Sequence, residues 1–294
     1  IDFVSKDLIS DLPNHLISHI LSLLSTKEAA STSVLSKRWH FLFASVPNFD
    51  FDDANEETTT SFVEFVDRVF TLLGNGTINK FSLSCGDGVN PIRISCWMLN
   101  VLLHGVTDLD LNVSKLYLCS LILRSKSLVK LRLGPRYGHS LTSGMEVVDV
   151  FLPNLRWLFL DSRDVGLAKL LAGCPMIEEI TLMNLRWGFW KSCTVSITKL
   201  KRQTFSFEHI ILSLKEESFI TLKLVYVAYY DTIADKYMKI SFDLIIEAHI
   251  SLRLTKDVDV NIIKSGKAIE MVGKANAFLR GMQRSNTFRI YRST

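Results

Sequence analysis

Residues 7–53 read DLISDLPNHLISHILSLLSTKEAASTSVLSKRWHFLFASVPNFDFDD, and their pattern decides how the N-terminal part folds. Leu16, Ile17, Ile20, Leu21, Leu23 and Leu24 recur three or four apart, which lines one face of a short helix. Pro13 suits its first turn, where a missing N–H costs nothing. Ser25 and Glu28 have the spacing of a capping box, so a second helix is expected to carry Ala29, Ala30, Val34 and Leu35. Ser36 can cap a third helix bearing Trp39, Leu42 and Phe43. Three short helices with this much apolar surface cannot bury it among themselves, so a partner surface is expected.

Leu12-Pro13, Ile20-Leu21, Leu24 and the run Val34-Leu35-Ser36-Lys37-Arg38-Trp39 resemble the F-box. The same run with Ala44-Ser45-Val46-Pro47 is similar to plant F-box/leucine-rich-repeat proteins, in particular the F-box/FBD/LRR type. Asn14-His15 stand where that family usually has an acidic residue, and Phe43 where it often has Trp. The resemblance implies an F-box over 1–53 that docks on a Skp-type adaptor and through it on a cullin. The rest of the chain would hold an unknown target protein for ubiquitination. The adaptor-binding residues it implies are Leu12, Pro13, Leu16, Ile20, Leu21, Leu24, Val34, Leu35, Arg38 and Trp39.

Downstream, residues 54–77 read as a polar connector and a capping helix carrying Phe62, Val63, Phe65, Val66, Val69, Phe70 and Leu73, most of them on one face. Beyond it the motif apolar-x-x-apolar-x-apolar recurs. It falls at Ile78/Phe81/Leu83, Val106/Leu109/Leu111, Leu128/Leu131/Leu133, Leu155/Leu158/Leu160, Ile177/Ile180/Leu182 and Phe219/Leu222/Leu224. The first five end at 83, 111, 133, 160 and 182, steps of 28, 22, 27 and 22 residues, within the ~20–29 of leucine-rich repeats. Residues two apart on a strand point the same way, so stacked strands extend one interior into a solenoid. Trp97 to Leu103 and Leu167 to Leu171 fit helices on its outer side, Gly173 and Pro175 closing the second. The pattern degenerates past Leu182: it breaks at Gln203, and His249 stands where a strand leading to Leu252 and Leu254 should begin. The expected fold is α/β: a small three-helix F-box, then over 78–294 an irregular solenoid of parallel strands with helices on the outer face. Ile269 to Met282 reads as one more helix and Phe288-x-Ile290 as the opening of a strand, so the chain is expected to be truncated at its C-terminus.

With 294 residues, 48% hydrophobic and 22% charged, the chain can bury a sizeable core. No apolar run approaches the ~18–20 residues of a membrane span, and no signal peptide is visible. Five cysteines, never paired as C-x-x-C, argue against a disulfide framework or zinc site and fit a reducing location, nucleus or cytoplasm. Residues 264–294 carry seven Lys/Arg and one Glu, but these are interleaved with apolar residues as on the polar face of a repeat, so no nucleic acid is expected.

No phosphate-binding glycine loop, zinc-binding histidine pair or nucleophile elbow occurs. Cys174, in a Gly-Cys-Pro corner, reads as a structural thiol. The expectation is a receptor without catalysis, metal or cofactor, with no membrane contact and no homo-oligomer. Trp187, Phe189 and Trp190 are the candidate target-binding residues, lying in a loop-like stretch after Leu182. The alternative is a ligase-independent repeat protein, such as a small-molecule receptor or a truncated decoy.

Overall fold

Three capped helices open the chain in the computed structural model, which describes residues 9, 11–55, 58–73, 76–114, 121–135, 150–161, 167–185, 192–197, 199–207, 216–220, 223–232, 236–241, 244–253, 273–276, 280 and 287–290. Pro13 is the N-cap of α1 (Asn14–Leu23). Ser25 and Glu28 close the capping box of α2 (Thr26–Thr32): Glu28 N–H donates to Ser25 Oγ at 3.3 Å, and Ser25 N–H to a Glu28 carboxylate oxygen at 3.0 Å. Ser36 caps α3 (Lys37–Phe43), accepting from Trp39 N–H. Ile17, Leu21, Ala29, Trp39, Leu42 and Phe43 meet in the core between them.

The chain then forms β1 (Asn48–Asp52), a strand that the boundary expected at 53 assigned to the helical domain. It pairs in parallel with β2 (Lys80–Cys85), so β1 is the first rung of the repeat sheet. Val46, Phe49 and Phe51 are buried in the same phase as Ile78, Phe81 and Leu83, which makes them a further copy of the repeat motif. Helix α4 (Thr59–Leu72), expected as a cap, joins these two rungs. It is tied to α5 (Pro91–Leu103) by Trp97 Nε1, which donates to Asp67 Oδ1 at 2.8 Å, and by the Arg93–Asp67 pair at 2.9 Å.

The sheet continues through β3 (Asp108–Val113), β4 (Lys130–Gly134), β5 (Trp157–Asp161) and β6 (Glu179–Leu185). Helix α6 (Leu167–Ala172) precedes β6. Then come β7 (Ser192–Ser196), β8 (Arg202–Phe207), β9 (Glu216–Ile220), β10 (Tyr226–Thr232), β11 (Lys236–Ser241), β12 (Glu247–Arg253) and β13 (Thr287–Ile290). Ten of the strands form one sheet, in the order β1-β2-β3-β4-β5-β6-β8-β10-β12-β13, every neighbour parallel. The other three make a second parallel sheet, β11-β9-β7.

The small sheet takes over the outer layer, because β7 packs beside α6 and each of its strands lies in sequence between two rungs of the large sheet. Helices therefore back the first repeats, and the strands of the small sheet lie between the rungs from β6 to β12. Thr194-Val195 in β7 is β-branched, which favours strand over helix.

Two inward columns make the core. One aligns Phe49, Phe81, Leu109, Leu131, Leu158, Ile180, Gln203, Val227 and Ala248 by direct register. All are buried, and the five anticipated triples from Ile78 to Leu182 occupy these columns or the position before them. The later frames differ from expectation. Leu224 is not the last member of Phe219/Leu222/Leu224 but the first of Leu224/Val227/Tyr229, and the twelfth strand is framed by Ile245/Ala248/Ile250 rather than by His249. Gln203 keeps its place in the column although it is polar. Of the helix expected over 269–282, residues 273–276 and 280 are described, and all are helical; Phe288 and Ile290 pair with Ala248 and Ile250 as one more strand.

Candidate functional site

The expected anchors on the helical unit separate into three groups. Pro13, Leu16, Ile20, Val34 and Leu35 are exposed, with Val34 at 84% and Leu35 at 64%. Leu12 and Leu24 are half-buried against the core. Leu21 and Trp39, expected as adaptor contacts, lie in the core at 1% and 6% exposure, where their side chains hold α1, α2 and α3 together and cannot present themselves to a partner. Arg38 braces this face from within. Its Nε donates to Asn14 Oδ1 at 2.8 Å and its Nη2 to the Leu12 carbonyl, so Asn14 does the accepting where the resemblance leads one to expect a carboxylate.

Two further large side chains share the exposed surface: Leu23 at 73% and Phe41 at 68%. Leu23 extends the stripe Leu16, Ile20 by one more helical step, a period visible in the sequence. Phe41 is out of phase with buried Trp39, Leu42 and Phe43, and that phase was the available signal. From Leu12 to Thr26 there is no Asp, Glu, Lys or Arg, so the exposed stripe of α1 is uncharged as well as apolar. Such a surface is stable in water only at a cost and gains about 25 cal/mol per Å² when covered.

The helical unit is seated directly on the repeats. Asp50 N–H of β1 donates to Thr26 Oγ1 of α2 at 2.7 Å, and Phe43 meets Phe49 edge to face at 6.3 Å between ring centres. Leu21, Thr26, Phe49 and Lys80 line a cleft of about 230 Å³ at this junction. That is below the ~300 Å³ at which small-molecule pockets usually begin.

On the open face of the ten-strand sheet, the outward residues form continuous rows. Asp108 pairs with Lys130 at 3.9 Å and Asp110 with Arg132 at 3.5 Å. Arg132 lies over the Phe159 ring at 4.1 Å, and Phe159 stacks on Trp157 at 6.4 Å. Further along, Glu179 pairs with Arg202 at 3.8 Å, Arg202 covers Tyr226 at 4.1 Å, and His249 Nε2 lies 2.6 Å from Glu247 Oε1. Burial raises the Asp110 carboxyl above its usual value, and Arg132 and Lys80 draw it part of the way back. The exposed pairs add little stability individually, but with the rings they form a surface in which guanidinium groups and aromatic faces are already placed. Trp157 is outward here, beside inward Leu158. Trp187, Phe189 and Trp190 lie outside the described residues.

Among the described residues no group of three or more His, Cys, Asp or Glu is placed to hold a metal, and no helix is long and apolar enough to cross a membrane. Cys174 is buried, which pushes its thiol up to about 12.

The F-box domain model matches residues 9–51. The F-box/LRR-repeat protein At3g59200 of Arabidopsis thaliana is 48% identical over 304 residues, covering 96% of this chain and 58% of its own length. At4g14103, an F-box/LRR-repeat protein of the same plant, is 45% identical over 290 residues, 94% of this chain and 75% of that one. A third, At3g59240, 42% identical over 270 residues, bears an F-box/FBD/LRR-repeat name; the alignment covers 86% of this chain and 53% of it. The chain thus spans between about half and three quarters of the length of these relatives. No solved structure matches. With the F-box matched over the three helices and 45% of residues identical to At4g14103 over 94% of this chain and 75% of that one, the chain belongs to the F-box/LRR-repeat family.

Proposed function

We propose that this chain is the substrate-recognition subunit of a Skp–cullin–F-box ubiquitin ligase. The observation that carries the proposal is the uncharged apolar stripe of Leu16, Ile20 and Leu23, with Val34 and Leu35, left exposed within the matched F-box residues. A Skp-type adaptor covers that surface and leads to the cullin, while the open face of the sheet, with Arg132, Phe159, Trp157 and Arg202, holds the target protein. Rings and guanidinium groups are the side chains that most often dominate protein interfaces, and here they are immobilised before binding.

The chemistry is proximity. Holding a target beside a charged conjugating enzyme replaces a bimolecular encounter with a near-intramolecular one, at effective concentrations of order mM. Cys174 takes no part in it as a nucleophile: its thiol is buried and keeps its proton. Such a role places it in a reducing compartment, the nucleus or cytoplasm.

The test is capture of a purified Skp-type adaptor by the whole chain and by Ile20→Asp and Leu35→Asp. Both substitutions fall on exposed side chains and should leave the circular-dichroism melt unchanged while abolishing capture. Undiminished capture by both variants overturns the assigned face. Failure of the unaltered chain to retain the adaptor returns it to a ligase-independent repeat protein.

A further inference from the structure

Helix α5 has two apolar faces. Ile94, Trp97, Met98 and Val101 are buried beneath it against the sheet. On the opposite side Ile92 is 68% exposed, Leu99 43% and Leu103 78%, and Cys96 is exposed with them. A helix on a protein's surface normally turns charged or polar residues to water, as neighbouring α4 does with exposed Glu64 and Arg68. The one charged residue of α5 is Arg93, and Asp67 holds it at 2.9 Å.

The spacing of the outer stripe, 92, 96, 99 and 103, advances by four, three and four residues, the seam of a helix that packs along another helix. It is also symmetric about its midpoint, between Trp97 and Met98. Turned end for end, the seam presents Leu103 to Ile92 and Leu99 to Cys96, so in an antiparallel pair the smallest side chain faces a large one at both central positions. A surface that complements itself under a two-fold rotation is what an isologous contact requires. We infer that α5 is a self-association surface, on which the outer stripe of a second copy of this chain docks antiparallel. The sequence gives little warning of it, because the stripe is interleaved with the buried face of the same helix.

Four side chains a copy are far fewer than the roughly 20–30 residues a side of a standard interface, so the pair is weak and forms at high concentration. The face lies on the outer layer, away from the open face of the sheet, so this inference does not rest on the proposed ligase role and its test leaves that role untouched.

The test is sedimentation equilibrium of the whole chain from low-micromolar to sub-millimolar concentration. The weight-average mass should rise towards twice the monomer. Leu99→Arg should hold the mass at the monomer value with an unchanged melting temperature. Ile92→Glu and Leu103→Lys should each weaken association, and the two together in one chain should restore it, because an antiparallel pair sets each Glu against a Lys whereas a parallel pair sets like against like. A mass that stays monomeric throughout, or that still doubles in Leu99→Arg, overturns the inference. So does Leu99→Arg that loses thermal stability with no change in mass, since the stripe is then covered by the chain's own residues.

Discussion

Replacing Gln203 with Leu should stabilise the repeat domain. Gln203 stands in the inward column between Ile180 of β6 and Val227 of β10, with no exposure to solvent. Neither its amide nitrogen nor its amide oxygen has a hydrogen-bond partner, so the amide is desolvated without compensation. A buried polar group left unsatisfied costs about 1–3 kcal/mol, and Leu is close enough to Gln in volume to fill the space without a large cavity or clash. The expected gain is therefore about 1–3 kcal/mol, a rise in melting temperature on the order of 5 °C for a chain of this size. Urea unfolding followed by far-UV circular dichroism is the assay; the midpoint should rise while the slope stays constant. Gln203→Glu is the opposing control, since an unpaired carboxylate at the same site should cost several kcal/mol at neutral pH. A lower midpoint for Gln203→Leu would refute the reasoning, because it would mean that the amide is satisfied where the column shows it abandoned.

Leu131→Asp should abolish the folded circular-dichroism signal of the repeats, whereas Lys130→Asp, one residue along and exposed, should preserve it; equal losses would mean the strand's phase is wrong. Gly173→Ala should lower the unfolding free energy by about 1–3 kcal/mol, because a Cβ there would lie 2.6 Å from Val150 Cβ; an unchanged unfolding midpoint would show that residue 150 yields freely. Under native conditions iodoacetamide should modify exposed Cys96 and spare buried Cys85 and Cys174, as read by peptide mass mapping. The Cys174 thiol is raised in the fold, so its contribution to stability is complete below the ordinary thiol range and lost as pH climbs from there towards about 12; labelling of Cys174 as fast as Cys96 near neutral pH would contradict this.

The repeats from Ile78 to Leu182 were legible because all fifteen of their key positions are aliphatic or Phe, and a period-two strand needs no further information to assign its inner face. Three later rungs were hidden by single side chains. Gln203 looked like a break, Tyr229 does not read as a buried residue until its hydroxyl is seen donating to Asp231 Oδ2 at 3.0 Å, and Ala248 is too small to register beside His249. On the F-box unit, periodicity marked Leu16, Ile20, Leu21 and Trp39 alike as apolar. Which of them face outward depends on how α2 and α3 cross α1, a tertiary fact that no local pattern contains. On the open face, alternation with Leu158 leaves Trp157 free to point either way in the sequence, and the strand register sets it outward.

Strand β1 is at once the end of the matched F-box and the first rung of the sheet, and Thr26 and Phe43 clamp it from the helical side. The assembly is thus a bracket rather than two beads on a string. On the proposed role, a target held on the sheet meets the conjugating enzyme at a bearing set by this joint, so the lysines that receive ubiquitin are selected by angle and not by the reach of a tether. Inserting a few glycines between α3 and β1 would leave both grips intact and spoil the aim, broadening the set of modified lysines while total binding stays the same.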